Sequence, residues 1–242
     1  QSQDRMLLRQ QRTRRAEQNL VLDTVRVYFQ VAAAQRAINV AGKLLEECRN
    51  RYELIEQMTP VMQQIDAQFV TVPSRMVSRV RRDTRYTRDK TLYRANLWLF
   101  FRRARRQHES MPCYYFELHP EYWAWGCWGA WGTGEMQALR DMILHEDRLF
   151  LDAFEAVKRC SEVTLAGELY KRPKYPDAKP EYQSWLNRKE IGVDFRESED
   201  FAPVLDGSFV GPMLETMKKL APFYRFLLAG KERAAAVREV RL

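Results

Sequence analysis

Histidine and cysteine are scarce in this chain of 242 residues, with three of one and four of the other. His108, His119 and His145 are scattered, and Cys48, Cys113, Cys127 and Cys160 form no Cys-x-x-Cys pair. That pattern excludes a local zinc motif and reads as free thiols in a reducing cytoplasm, not a disulfide framework. No apolar run approaches the ~20 residues that a membrane span requires. The polar, Arg/Gln-rich stretch Gln1–Arg15 has no apolar segment of the kind a secretion signal carries. Walker, Rossmann, Ser-x-x-Lys and Gly-x-Ser-x-Gly patterns are absent, so no cofactor is implied and no reaction is named. A cytoplasmic protein with no membrane partner is the expectation.

What the chain has instead is a local excess of positive charge. The formal net charge is +8. From Thr71 to Arg106 there are twelve basic residues and only two acids, Asp83 and Asp89, a net of +10. The remainder therefore carries −2, so this is a protein with a basic segment. Such a segment favours anionic partners, either a small ligand or nucleic acid. With 45% hydrophobic residues the chain has ample material for a core.

The hydrophobic period places the elements. Residues 1–58 read as a helical N-terminal segment and 59–242 as one α+β domain. Leu44, Leu45, Tyr52, Ile55, Met58 and Met62 recur at helical spacing, and Pro60 breaks or begins a helix. Phe69–Val72 and Met76–Arg81 read as short strands separated by Pro73-Ser74. Ala95–Phe101, Cys113–Leu118 and Tyr122–Trp128 are β-rich, and their short connections predict an antiparallel meander. Glycines at 126, 129, 132 and 134 suggest bends, bulges or an exit from the sheet. Helices follow at Glu135–Glu146 (Met136, Leu139, Ile143, Leu144) and Arg148–Cys160 (Phe150, Phe154, Val157). A proline-punctuated loop covers Lys171–Pro180, a short helix Pro180–Lys189 and a strand Ile191–Arg196. Phe209–Ala229 is helical with a kink at Pro222, and Ala234–Leu242 is a charged helical tail. The fold is thus a mostly antiparallel sheet, from about 69 to 128 plus a later strand, packed by C-terminal helices.

The densest constellation is Arg82–Arg94, with four arginines, a lysine, two aspartates, three threonines, two tyrosines and no glycine. Arg79, Arg82, Asp83, Arg85, Tyr86, Thr87, Asp89, Lys90, Thr91, Tyr93 and Arg94 follow the pattern Arg-x-x-Arg-Asp-x-Arg-aromatic-Ser/Thr-x-Asp-Lys-Ser/Thr-x-Tyr-Lys/Arg. In this the chain resembles the family called domain of unknown function 2461. The resemblance runs from about Thr59 to Ala229. It includes Tyr115-Phe-Glu-Leu, Leu169-Tyr-Lys-Arg-x-x-Tyr-Pro and Leu220-Ala-Pro-x-Tyr-x-Phe-Leu. Two features depart from it: the upstream Asn-x-x-x-Trp-Phe element is absent, and Trp128 stands where a second glycine of a Gly-x-Gly is expected. The resemblance implies a cytoplasmic protein and brings no assigned activity.

Three uses of the constellation stand open. Arginine guanidinium groups fork onto carboxylate or phosphate, so Arg79, Arg82, Arg85, Lys90 and Arg94 suit a small anion, oriented by Asp83 and Asp89. Tyr93 and Tyr115 would line that pocket and Lys171 and Arg172 would cap it. Alternatively, the basic segment with Tyr86, Tyr93 and Trp98 suits phosphate contact and base stacking on nucleic acid. The third use is structural, with Arg/Asp and Asp/Lys pairs forming a buried network. The tryptophan-rich run from Tyr122 to Trp131 reads mostly as core. Cys113, Cys127 and His119 make a Cys–His pair conceivable, and Glu117 is a candidate general base.

Overall fold

The computed structural model describes residues 52–78, 85, 96–104, 110–129 and 132–240. The chain divides into two compact units, Gln1–Glu53 and Leu54–Leu242. The expected helices before residue 52, Cys48 and His108 lie outside the described residues.

A strand shows alternate residues to opposite faces, and three consecutive hydrophobic segments here use that period to build one sheet. Strands β1 (Leu97–Arg102), β2 (Cys113–His119) and β3 (Tyr122–Gly129) form an antiparallel meander. Strands β4 (Thr164–Ala166) and β5 (Ile191–Glu197) complete a five-stranded sheet in the order β1-β2-β3-β5-β4, antiparallel throughout. The fold is α+β. Leu99, Phe101, Tyr114, Phe116, Trp123, Trp125, Cys127, Ile191 and Val193 alternate onto one face and are buried. Helices cover that face, so Trp123 and Trp125 are core, as the sequence suggests. Gly126 and Gly129 lie within β3 without interrupting its pairing.

The helices are α1 (residues 52–65), α2 (Pro73–Met76), α3 (Thr133–Leu144), α4 (Arg148–Arg159), α5 (Gln183–Leu186), α6 (Ala202–Asp206), α7 (Val210–Lys219) and α8 (Ala221–Val240). A 3-10 turn, Pro180–Tyr182, leads into α5. Helix α8 packs against α3, α4 and β3. On α3 the inward stripe is Met136, Leu139, Met142 and Ile143, whereas Leu144 is exposed.

Proline explains three differences from the sequence reading. Helix α1 runs through Pro60 instead of breaking there, because the lost bond falls on its solvent side, where both Glu56 and Pro60 are exposed. Residues 69–77 form no strands. Pro73, with its fixed φ, starts the single turn α2, and the segment meets the β1 region through isolated bridges of Phe69 to Arg103 and Val77 to Leu99 and through the Val70 N–H, which donates to the Arg102 carbonyl at 2.9 Å. Pro222 does not kink a helix. It is the second residue of α8, where its missing N–H needs no partner, and α7 has already ended at Lys219. The charged tail from Ala234 continues α8. Neither β4 nor α6 follows from the hydrophobic pattern, since each is too short to show a period.

One buried carboxylate ties three elements together. Asp66, just beyond α1, accepts hydrogen bonds at Oδ2 from Arg103 Nε (2.6 Å) and from the Tyr224 hydroxyl of α8 (2.7 Å). Its Oδ1 takes the Gln68 N–H at 2.9 Å. Burial alone would raise its pKa, but Arg103, Tyr224 and the Gln68 amide outweigh that and hold it below the ordinary range. Because the folded-state pKa is depressed, this contribution is present above the unfolded value of ~4 and fades as pH falls through the folded value. Asp66→Asn is expected to cost about 2–3 kcal/mol, less than the ~3–5 of a fully buried pair, because 26% of the Arg103 side chain is exposed. Tyr224→Phe is expected to cost about 1 kcal/mol. Urea midpoints at pH 7 and pH 3 check both; the Asp66→Asn deficit shrinks at the lower pH.

Candidate functional site

The sheet face opposite the core, as the described residues show it, carries the polar chemistry. Strand register arranges it in rows. Phe100, Tyr115, Gly126, Asp194 and Thr164 stand side by side across the five strands. Next to them run Trp98, Glu117, Ala124 and Arg196 on one side, and Arg102, Cys113, Trp128 and Gly192 on the other. A cavity of about 720 Å³ opens over these rows, lined among the described residues by all of them except Arg102, Gly126 and Gly192, and by Tyr122. That volume lies within the range of small-molecule sites, ~300–1,000 Å³.

Two glycines make the floor possible. A β-carbon on Gly126 would lie 2.0 Å from the Val193 carbonyl oxygen and 2.9 Å from Oδ1 of Asp194. A β-carbon on Gly192 would lie 2.4 Å from the Trp128 ring. With both absent, Trp128 lays its indole over β5 and Tyr115 reaches past Gly126. The Tyr115 hydroxyl donates to Asp194 Oδ1 at 2.8 Å, and Trp128 Nε1 donates to the same oxygen.

The charged groups form a graded set. Burial pushes the Asp194 carboxyl above its usual range. The Tyr115 and Trp128 hydrogen bonds and the Arg196 charge oppose that rise, and Glu117 adds to it. Burial, then Asp194, also raise the Tyr115 phenol, so it stays a proton donor. Glu117 Oε1 accepts from Asn96 Nδ2 at 2.9 Å. Arg196 lies 3.6 Å over the Tyr122 ring. Chemically, Asp194 is a carboxyl whose hold on a proton is strengthened by burial, beside a phenol, on an aromatic floor. Among the described residues no group of His, Cys, Asp and Glu is arranged to hold a metal.

Of the sequence-selected residues, Trp98, Cys113, Tyr115 and Glu117 line this cavity. Arg79, Arg82, Asp83, Asp89, Lys90, Tyr93 and Arg94 lie outside the described residues. Arg85 is exposed. The residues flanking that segment are fixed beside the cavity. The Ser78 N–H donates to the Trp98 carbonyl at 2.8 Å, the Trp98 N–H donates to Ser78 Oγ at 3.1 Å, and Asn96 holds Glu117. Lys171 and Arg172 are exposed and do not line the cavity. Their loop follows β4 toward the Leu169–Arg188 bridge, past the Gly192 end of the sheet. The Cys–His pair does not form. Cys127 lies on the core face and Cys113 on the other, and His119 stacks on Tyr122 at 4.6 Å. Burial raises the Cys127 thiol, which keeps it protonated.

Asp194, Arg196 and Trp128 escaped the sequence reading. Their signal was the alternation Gly192-x-Asp194-x-Arg196, which puts a glycine and two opposite charges on one face of a strand whose other face is apolar. The family model described as "Conserved hypothetical protein (DUF2461)" matches residues 46–226. No curated protein and no solved structure matches the chain. No helix among the described residues is long and apolar enough to cross a membrane.

Gly192→Ala is expected to drive the Trp128 indole off β5 and to cost about 1–3 kcal/mol, visible in near-UV circular dichroism and in the urea midpoint. Asp194→Asn works in the other direction. The folded-state pKa is raised, so ionisation of Asp194 weakens the fold as pH climbs through that value. Asparagine keeps the Oδ1 acceptor without the charge. This variant should be no less stable than the parent at pH 7, and its advantage should vanish at pH 3.

Proposed function

The chain belongs to the DUF2461 family, and from its outer-face cavity we propose that it binds a small, ring-bearing molecule that carries a phosphate or carboxylate. The observation that carries this reading is the cavity itself, whose aromatic walls surround a carboxyl held by neutral donors. Trp98, Phe100, Tyr122 and Trp128 offer ring faces and edges for stacking. Tyr115 and Asp194 supply a donor and a protonable group at the floor, and Glu117 with Arg196 orient a polar substituent.

The described charges of the cavity, Asp194 and Glu117 against Arg196, do not by themselves favour an anion. The grip on the acidic group is assigned to the segment flanked by Ser78 and Asn96. There Arg79, Arg82, Arg85, Lys90 and Arg94 supply forked and point cations, with Asp83 and Asp89 to orient them. Both flanking residues are bonded to lining residues, Ser78 to Trp98 and Asn96 to Glu117, which supports a role for the segment at this rim. Lys171 and Arg172 add positive field without contact.

A thermal-shift screen of nucleotides, sugar phosphates and acidic metabolites tests the reading. At least one class is expected to raise the melting temperature with one-to-one stoichiometry by calorimetry. Tyr115→Phe should weaken that ligand about fivefold, the loss of a hydrogen bond worth ~1 kcal/mol. Arg82→Ala and Lys90→Ala should stay folded and lose the shift. If both variants unfold and no class shifts the parent, the cluster is a structural ion-pair network. Binding to DNA or RNA that collapses between low and moderate salt would favour nucleic acid instead.

A further inference from the structure

A second cavity, of about 410 Å³, lies on the opposite face of the sheet, between the Trp123 end of β3 and β5 and helices α6 and α7. Its walls are aromatic. Trp125 and Phe195 stack at 5.3 Å, and Trp123 meets Phe209 edge to face at 5.5 Å. Trp123 Nε1 donates to the Asp200 carbonyl at 2.8 Å, which fixes the indole; Trp123 and Trp125 are 4% exposed, and the half-buried Phe195, 4.9 Å from Trp123, is the most accessible of these rings.

Its charged lining is entirely acidic: Glu162, Glu197 and Asp200. Each accepts a hydrogen bond from the chain. Glu162 accepts from the Thr216 hydroxyl. Glu197 Oε1 accepts the N–H groups of Ser198 and Glu199, both at 2.8 Å, and Asp200 Oδ1 accepts the Ala202 N–H at 2.9 Å. The Thr216 bond lowers the Glu162 pKa, with help from the charge of Lys219, and the backbone donors of Glu199, Asp200 and Ser198 lower that of Glu197. Among the described residues none of the three carboxylates forms an ion pair. Aromatic faces carry negative quadrupole charge. Three carboxylates around such faces repel them, and this in a chain of net charge +8. A bound cation reverses the sign of both interactions.

We infer that this cavity binds a small organic cation bearing an alkylammonium group, with the ring faces against its methyl or methylene groups and the three carboxylates compensating its charge. The volume accommodates a choline-sized head with a short tail. A bare metal ion does not fit the chemistry, because the walls are rings and the carboxylates are spent on protein donors. The site is separated from the outer-face cavity by the sheet itself, so either reading stands or falls without the other.

The test uses the full chain, with calorimetry and intrinsic tryptophan fluorescence as readouts. Choline, tetramethylammonium and butylammonium are titrated beside 3,3-dimethyl-1-butanol, the uncharged isostere of choline. At least one of the cations is expected to bind saturably with a change in tryptophan emission, and the isostere about tenfold more weakly, the loss of a partly desolvated cation–π and charge interaction. Glu162→Gln, on an exposed side chain that leaves the fold intact, should weaken the cation about fivefold. Tyr115→Phe in the other cavity should leave it unchanged. Equal affinity for choline and its isostere overturns the inference. So does the absence of saturable binding by all three cations, or a Glu162→Gln variant that binds the cation as tightly as the parent.

Discussion

Gly126 faces Asp194 across β3 and β5 with no space for a β-carbon between them. Much of the outer face rests on that contact. A side chain at 126 would displace the carboxylate, and the carboxylate is what Tyr115 and Trp128 converge on. Gly192 does the same for the Trp128 ring, one position along the adjacent row. Glycine in a strand gives up side-chain packing and backbone entropy. Here the loss occurs on the face opposite the core, and on the core face of the same strands Cys127, Val193 and Trp125 stay buried. The sheet can therefore be thin at its outer floor without weakening what holds it to α8.

One buried and one half-buried carboxylate show how differently the chain treats charge. Asp66 has a guanidinium within 2.6 Å and stays ionised with its pKa lowered. It joins α1, the end of β1 and α8, so its charge is used for cohesion. Asp194 receives only a phenol and an indole as hydrogen-bond donors, with Arg196 acting at longer range, and burial prevails. Neutral donors satisfy its oxygen without neutralising it. A fold that needed only cohesion at that place would gain more from an apolar side chain there. A carboxyl kept at a raised pKa beside an aromatic cavity is better explained by what it meets from solvent than by what it holds inside.

The period of two in Leu97–Arg102, Cys113–His119, Tyr122–Gly129 and Ile191–Glu197 was readable because one face of each strand is apolar, apart from Glu197 at the end of the last. Helix α4 was readable from Phe150, Phe154 and Val157. Position-specific effects were not. Whether Pro60 interrupts a helix depends on which side of the helix faces water, and Phe69 and Val77 look like strand residues although each makes one bridge. The site was half legible. Tyr115 stood out through the family motif, but Asp194 carries no local mark. Its partners lie 79 and 66 residues away in sequence, and only the register that sets Gly126 and Gly192 beside them brings them together. Composition locates the basic segment well and says nothing of the acidic cavity, whose carboxylates come from two stretches, Glu162 from one and Glu197 with Asp200 from the other, of a remainder that is nearly balanced.

That division of charge has a structural reading. The sheet is a single layer, and its two faces meet solvent in cavities of different character. On the outer face the carboxyl has a raised pKa and the acids have an arginine among them. On the helix side the acids accept from backbone and hydroxyl donors, and the described lining holds no basic residue. Because Trp125 and Phe195 face one cavity while Ala124, Asp194 and Arg196 on the same strands face the other, a shift of register would exchange the two linings wholesale. The pairing that buries the core therefore also fixes which side chains line each cavity, and neither lining can change without the fold itself being repacked.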